Sequence, residues 1–293
     1  MAINDRRLEV TEFDFDEVKT NLKTFLKAQN QFTDYDFEGS GMNILLDVLA
    51  YNTHYLGFNA NMLANEMFLD SSSLRSSIVS HAKTLGYTPT SARASKAVVD
   101  VTLNTNSTSL TMPAGTVFNT DVDGVSYNFS TITDVTKSNT GNSIPFTNID
   151  IYEGTFITTR YSVDSSDVDQ RFLLTDNRAD TTTLTVKVQT SSSDSTTTTY
   201  TKTTDITQLT ASSNVYFLQE VEAGVFEIYF GDGIIGSALS DGNIIILTYV
   251  VSNKSLANGA ALFDNAATIA AVSDISVATV AAASAGSEPE SLQ

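Results

Sequence analysis

The chain has no cysteine and no tryptophan, only two histidines and four prolines, and few cations: 16 lysines and arginines against 34 aspartates and glutamates. Without cysteine there is no disulfide scaffold, thiol nucleophile, Cys-ligated zinc site or iron–sulfur cluster. The net charge of −18 removes the basic footprint that nucleic acid or anionic lipid requires. His54 and His81 are 27 positions apart on different expected helices, whereas metal-binding helices place histidines three or four apart. Each reads as a packed or surface histidine. No segment reads as a signal peptide or a membrane span. The arginines at Arg6 and Arg7 precede Glu9, Glu12, Asp14 and Asp16, and the apolar stretch Met42–Leu69 is broken by Asp47, Asn52, His54, Asn59, Asn61 and Glu66.

What is present is 41% hydrophobic residues over 293 positions, enough for a core and about two domains. The acidity is uneven. Residues 1–94 carry 8 cations and 12 anions, residues 95–202 carry 7 and 12, and residues 203–293 carry Lys254 against 10 anions. Solubility is the simplest reading, and a complementary face for a basic partner subunit is the sharper one.

Composition changes near residue 90. Residues 1–94 hold 16 serines and threonines, and residues 101–200 hold 37. Before the change the spacing is helical. Phe15, Val18, Leu22, Phe25 and Leu26 predict one face of a helix over Asp14–Gln29. A break at Asp36–Gly41 precedes a long helix over Met42–Phe68, whose apolar residues wrap more than one face, so it should be buried among other helices or subunits. The cluster Asp70-Ser71-Ser72-Ser73 supplies N-cap residue types for a third helix, which Gly86 and Pro89 end.

After the change the period falls to two. Val99, Val101 and Leu103 alternate with polar residues. Further strands are expected at Val125–Ser130, Thr155–Val163, Arg171–Thr175, Thr183–Gln189, Asn214–Leu218, Val225–Phe230 and Ile244–Val251. Ser191–Thr204 reads as a loop or hairpin. Strand is the expectation for Ile275–Val280 within an Ala-rich tail. The fold class is therefore α+β: about three helices, then one or two mainly antiparallel β units. Three domains are expected: residues 1–94 helical, 95–255 β-rich, and 256–293 an Ala-rich acidic segment.

Several motifs fail as chemistry. Gly231-Asp232-Gly233-Ile234-Ile235-Gly236 matches G-x-G-x-x-G after a strand. A dinucleotide site needs a helix opening at the third glycine, but Ser240-Asp241-Gly242-Asn243 and another strand follow. Gly231, Asp232, Gly233, Gly236 and Gly242 are expected to be turn architecture. Asp121-Val122-Asp123-Gly124 fails the EF-hand spacing, with Gly124 at its fourth position and Ile132 at its twelfth. It reads as a turn. No nucleophile elbow, HExxH helix or P-loop occurs. Three Asn-x-Ser/Thr sites begin at Asn106, Asn128 and Asn253 and carry no weight without a secretory signal. A carboxylate pair for hydrolysis is not readable from sequence.

Two segments together carry a resemblance. The first is Phe37-Glu38-Gly39-Ser40-Gly41-Met42-Asn43-Ile44-Leu45-Leu46-Asp47-Val48-Leu49-Ala50-Tyr51-Asn52, then Asn65–Asp70 and Leu85-Gly86-Tyr87. The second is Glu227-Ile228-Tyr229-Phe230-Gly231-Asp232-Gly233 with Gly236, Asp241-Gly242-Asn243, Tyr249 and Asn258-Gly259; Pro113-Ala114-Gly115-Thr116 adds a turn. Across nearly the whole chain this resembles the baseplate J-like family, the baseplate-wedge proteins of contractile-tailed phages, in its T-even-like branch. The resemblance implies a non-enzymatic structural subunit of the virion tail baseplate, assembled in the host cytoplasm, without cofactor, metal or catalytic residue. It implies a homodimer within the wedge, contacts with other wedge subunits through a helical bundle, and neither nucleic acid nor membrane insertion. Leu45, Leu49, Leu56, Leu63 and Met67 are then the expected interface. In that family a segment like Gly286–Leu292 leads into a further portion, so the chain is expected to be the N-terminal part of a longer protein, or a short or split form. The competing expectations are an acidic, carbohydrate-binding surface adhesin and an Asp/Glu hydrolase.

Overall fold

The computed structural model describes residues 14–29, 39–167, 169–265 and 268–291. The chain divides into two compact units, residues 1–85 and 86–293. The Asp36–Glu38 part of the expected break lies outside the described residues, as do Phe37 and Glu38 of the first resemblance segment.

In the first unit, α1 (Phe15–Lys27) starts with Asp16 and Glu17 in its first turn and has Lys27 in its last, which suits the helix dipole. Val18 is its buried residue, and Phe25, expected on the same face, is exposed. Helix α2 (Gly41–Glu66) is capped by Ser40, whose hydroxyl accepts from the Asn43 amide at 3.0 Å. Asn43, Leu46, Ala50 and Gly57 are its buried residues, a narrow stripe at three-, four- and seven-residue steps. Lys19 of α1 pairs with Asp47 of α2 at 2.5 Å.

Helix α3 (Arg75–Thr84) differs from expectation at its start. Its N-cap position is Leu74 and no side chain of the serine cluster caps it. The Glu66 carboxylate at the end of α2 holds the two residues just before the helix, accepting from Ser73 N at 2.9 Å, Ser73 Oγ at 2.8 Å and Leu74 N at 3.3 Å. The Ser77 hydroxyl and the Ser73 amide hold the Glu66 carboxyl down to about 2. His81 Nε2 lies 3.0 Å from the Glu66 carbonyl oxygen, so the histidine joins α3 to the end of α2.

The second unit is made of β1 (Lys96–Asn104), β2 (Ser109–Met112), β3 (Val117–Val122), β4 (Val125–Ser130), β5 (Val135–Ser138), β6 (Ser143–Glu153), β7 (Thr155–Ser162), β8 (Phe172–Leu173), β9 (Ala179–Gln189), β10 (Thr197–Lys202), β11 (Val215–Glu222), β12 (Val225–Phe230), β13 (Ile244–Val251), β14 (Asp264–Asn265) and β15 (Ile275–Ser284). A six-stranded sheet runs β14-β3-β4-β6-β1-β15, and a seven-stranded sheet runs β7-β13-β9-β10-β11-β12-β8. Strands β2 and β5 form a separate pair. Pairing is antiparallel except between β10 and β11. The fold is thus the expected α+β arrangement.

Alternation in β1 points Ala97, Val99, Val101 and Leu103 into one core, beside Phe118, Phe129, Phe146 and Ile151. The second sheet has its own core around Phe172, Leu218, Phe226, Ile228, Leu247 and Tyr249. Its two outermost strands approach each other, since the Tyr161 hydroxyl of β7 donates to the Leu173 carbonyl of β8 at 2.7 Å. That contact covers part of the exposed edges of an open sheet. The Ala-rich segment does not stand apart: β15 pairs with β1 from Leu103↔Ile275 to Lys96↔Ser284.

The chain passes from the first sheet to the second at Glu153-Gly154-Thr155. Gly154 has φ 123°, and a Cβ there would overlap the Val251 carbonyl of β13. Only glycine fits both demands. Beside it the buried Glu153 carboxylate accepts from the Asn253 amide and from Asn253 Nδ2, each at 2.8 Å. Burial pushes the Glu153 carboxyl up, against these two donors.

Candidate functional site

Two features expected to matter have definite geometry. The first is the face of α2 turned away from its buried stripe. Leu45, Leu49, Leu56, Leu63 and Met67 are 44% to 68% exposed. Ile44, Val48, Tyr51, Tyr55, Phe58 and Met62 are exposed as well. The helix therefore carries a continuous apolar surface over about seven turns, with Tyr51 and Tyr55 stacked at 6.3 Å. A helix with large side chains exposed at this density marks an interaction surface.

The second is the glycine–aspartate turn after β12. The Asp232 carboxylate accepts from the Ile234 and Ile235 amides, both at 2.9 Å, and these bonds lower its pKa. The Gly233 amide donates to the Gly236 carbonyl at 3.1 Å, with φ 86° at Gly233 and 85° at Gly236. A Cβ on Gly231 would overlap the Ile235 and Gly236 carbonyls. Gly236 and Ser237 then donate to Thr210 and Ser213, so the turn is stitched to the loop before β11. Gly242, at φ 76°, donates to the Val163 carbonyl at 3.1 Å. The donors that would cradle a phosphate are spent on the turn itself, and β13 follows instead of a helix. In the same way Asp123 (φ 52°) and Gly124 (φ 81°) form the two-residue hairpin between β3 and β4.

A cavity of about 410 Å³ lies beside the turn, lined by Asp164, Asp167, Asp169, Arg171, Tyr229 and Asp232 among others. The Arg171 guanidinium sits over the Tyr229 ring at 4.4 Å. The Ser166 hydroxyl and amide hold the Asp164 carboxyl below its usual range. Asp164 and Asp232 are therefore stabilised as anions. Among the described residues, no group of three or more histidines, aspartates or glutamates could hold a metal ion. No helix there is long and apolar enough to cross a membrane.

One functional candidate escaped the sequence reading. The Asn258 side chain bonds the Gly286 backbone twice, its Oδ1 accepting from the amide and its Nδ2 donating to the carbonyl, both at 3.0 Å. The Asn258-Gly259 pair was visible in the sequence, but its partner 28 residues away was not.

Residues 14–87 match the family model described as the helical domain of gp6-like baseplate wedge proteins. Among curated proteins, baseplate wedge protein gp6 of Enterobacteria phage T4 is 30% identical, in an alignment covering 90% of this chain and 42% of that protein. The chain thus spans less than half the length of that relative. A solved structure, the cryo-EM structure of the anti-feeding prophage baseplate (6-fold symmetrised), aligns with 94% of this chain and 49% of that chain at 13% identity and a TM-score of 0.27, too distant a likeness to argue from.

Proposed function

We propose that the protein is a structural subunit of a phage tail baseplate wedge, located in the virion, and that it has no catalytic activity. The observation that carries this reading is the apolar face of α2, exposed among the described residues, within a segment that matches a wedge-protein helical domain. In the proposal α2 packs against a helix of a second copy and against helices of other wedge subunits, with Leu45, Leu49, Leu56, Leu63 and Met67 at the contact. The two sheets act as a rigid body, the turn at Gly231–Gly236 and Gly242 serving architecture. Assembly takes place in the host cytoplasm, with no nucleic acid and no cofactor involved. The adhesin and hydrolase readings lose ground to the same observations, because neither gives α2 a reason to expose a continuous apolar face.

The test is co-assembly. Leu49→Asp/Leu56→Asp is expected to abolish complex formation with a second copy or a wedge partner in light scattering while the sheets stay folded. Unchanged complex mass would overturn the reading.

A further inference from the structure

The stretch Gly286–Glu290 makes a ladder of contacts that the assembly role does not explain. It runs along residues 87–95, the lead-in of the second unit before β1. Arg93 and Ser287 exchange backbone bonds of 3.0 and 3.1 Å. The Glu290 amide donates to the Thr90 carbonyl at 3.0 Å, and its carboxylate accepts from the Thr90 amide at 2.9 Å and the Tyr87 hydroxyl at 2.7 Å. Glu288 pairs with Lys254. Asn258 grips Gly286 and also accepts from the Ser95 hydroxyl at 2.8 Å.

The opposite side of the lead-in is bonded differently. The Ala94 amide donates to the buried Asp180 carboxylate at 2.8 Å, and the Thr181 amide donates to the Ser91 hydroxyl at 3.0 Å. Ser91, Ala92, Ala94 and Ser95 are buried. The lead-in is therefore held in a slot with two unlike walls. One is β9 of the seven-stranded sheet. The other is a strap of Ser, Glu, Pro and Glu with no large apolar side chain to bury. A segment held by partly exposed polar contacts opens at a lower free energy than a strand in the core.

We propose that residues 286–290 are a releasable clasp, whose opening frees the backbone of residues 87–90, where Thr88 keeps its hydroxyl bond to the Leu218 carbonyl, while Ser91, Ala94 and Ser95 stay anchored to β9 and its neighbours. Four residues released from the slot lengthen the free chain between the two compact units by about 13 Å at full extension. The clasp thus sets the reach of the tether between the helical unit and the sheets. Its existence does not depend on the wedge reading; only the use made of the extra reach does.

Hydrogen exchange on the full chain tests it at two amides, Thr90 (bonded to the clasp) and Ala94 (bonded to Asp180), with Leu247 of β13 reporting global unfolding. Glu290→Ala is expected to speed exchange at Thr90 at least about tenfold and to leave Ala94 and Leu247 unchanged. Because the chain lacks cysteine, Arg93→Cys/Ser287→Cys introduces one disulfide between directly opposed residues, within the spacing a disulfide tolerates. Oxidation is expected to slow Thr90 exchange at least about tenfold, and reduction to restore it. The proposal fails if Thr90, Ala94 and Leu247 respond together, since release would then be part of global unfolding. It also fails if the disulfide forms and Thr90 exchange does not change.

Discussion

Replacing Leu49 and Leu56 with aspartate separates the interface from the fold. Both side chains lie on the open face of α2, 44% and 60% exposed. Fully burying a leucine contributes about 1.5–3 kcal/mol. Covering the exposed remainder is then worth about 0.7–1.3 kcal/mol at Leu49 and about 0.9–1.8 kcal/mol at Leu56. The double variant forfeits that sum of roughly 2–3 kcal/mol and also brings two carboxylates into an apolar contact, each adding at least about 1 kcal/mol of desolvation. A total near 4–5 kcal/mol weakens association about a thousandfold or more. Light scattering at concentrations where the natural chain forms complexes should then show only free subunit. Circular dichroism should show the helices retained, because neither residue belongs to the buried stripe at Asn43, Leu46, Ala50 and Gly57. Asn52→Asp, an exposed polar position on the same helix, controls for added charge and should assemble normally. If the double variant assembles as well as the natural chain, α2 is not the interface and its apolar face needs another explanation.

Gly233→Val forces a β-branched residue to φ 86° and should cost about 2 kcal/mol, read as a lower Tm; an unchanged Tm would show that the turn is not under that constraint. Gly154→Ala meets the Val251 carbonyl as well as φ 123°, so thermal denaturation should find a larger loss, about 3 kcal/mol or more. Glu66 holds the lead-in of α3 as an anion. With its folded-state pKa lowered from 4.5 to about 2, its contribution is complete above about 4.5 and disappears as the pH falls towards 2. Helical signal followed by circular dichroism should fall across that window, and Glu66→Gln should remove this part of the pH dependence.

Much of the second unit was legible because alternation is a local signal. β4, β12 and β13 occupy the expected spans, and β1 buries the residues its period indicates. The longest strand missed was β6. Pro145, Asn148 and Asp150 interrupt its pattern, and Asn148 takes φ 54° where the register with β1 shifts. Proline is tolerated there because β4 pairs with β6 only at Tyr152 and Glu153, which leaves one side without a ladder at residue 145. In the helical unit the serine cluster misled, because a carboxylate at the end of the preceding helix, and not a local hydroxyl, takes the Ser73 and Leu74 amides just before α3. Sequence spacing does not show which distant group reaches a helix end. The clasp was invisible for the same reason. Its residues read as part of an Ala-rich acidic segment, and their meaning comes from partners 200 and 203 positions earlier.

The charge distribution fits association through the helices. Copies carrying −18 each repel, and the repulsion opposes any contact that concentrates charge. The helical stretch is the least unbalanced part of the chain, with 8 cations and 12 anions in residues 1–94, and the open face of α2 carries mainly apolar side chains. Elsewhere the excess is larger: residues 203–293 have one cation, Lys254, and it is engaged with Glu288. At physiological ionic strength exposed charges farther apart than about 8 Å are largely screened, so what matters is the charge at the contact, not the total. The proposed surface for joining other helices thus lies on an apolar helix outside the strongly acidic last third. The strongly acidic last third keeps unassembled chains apart.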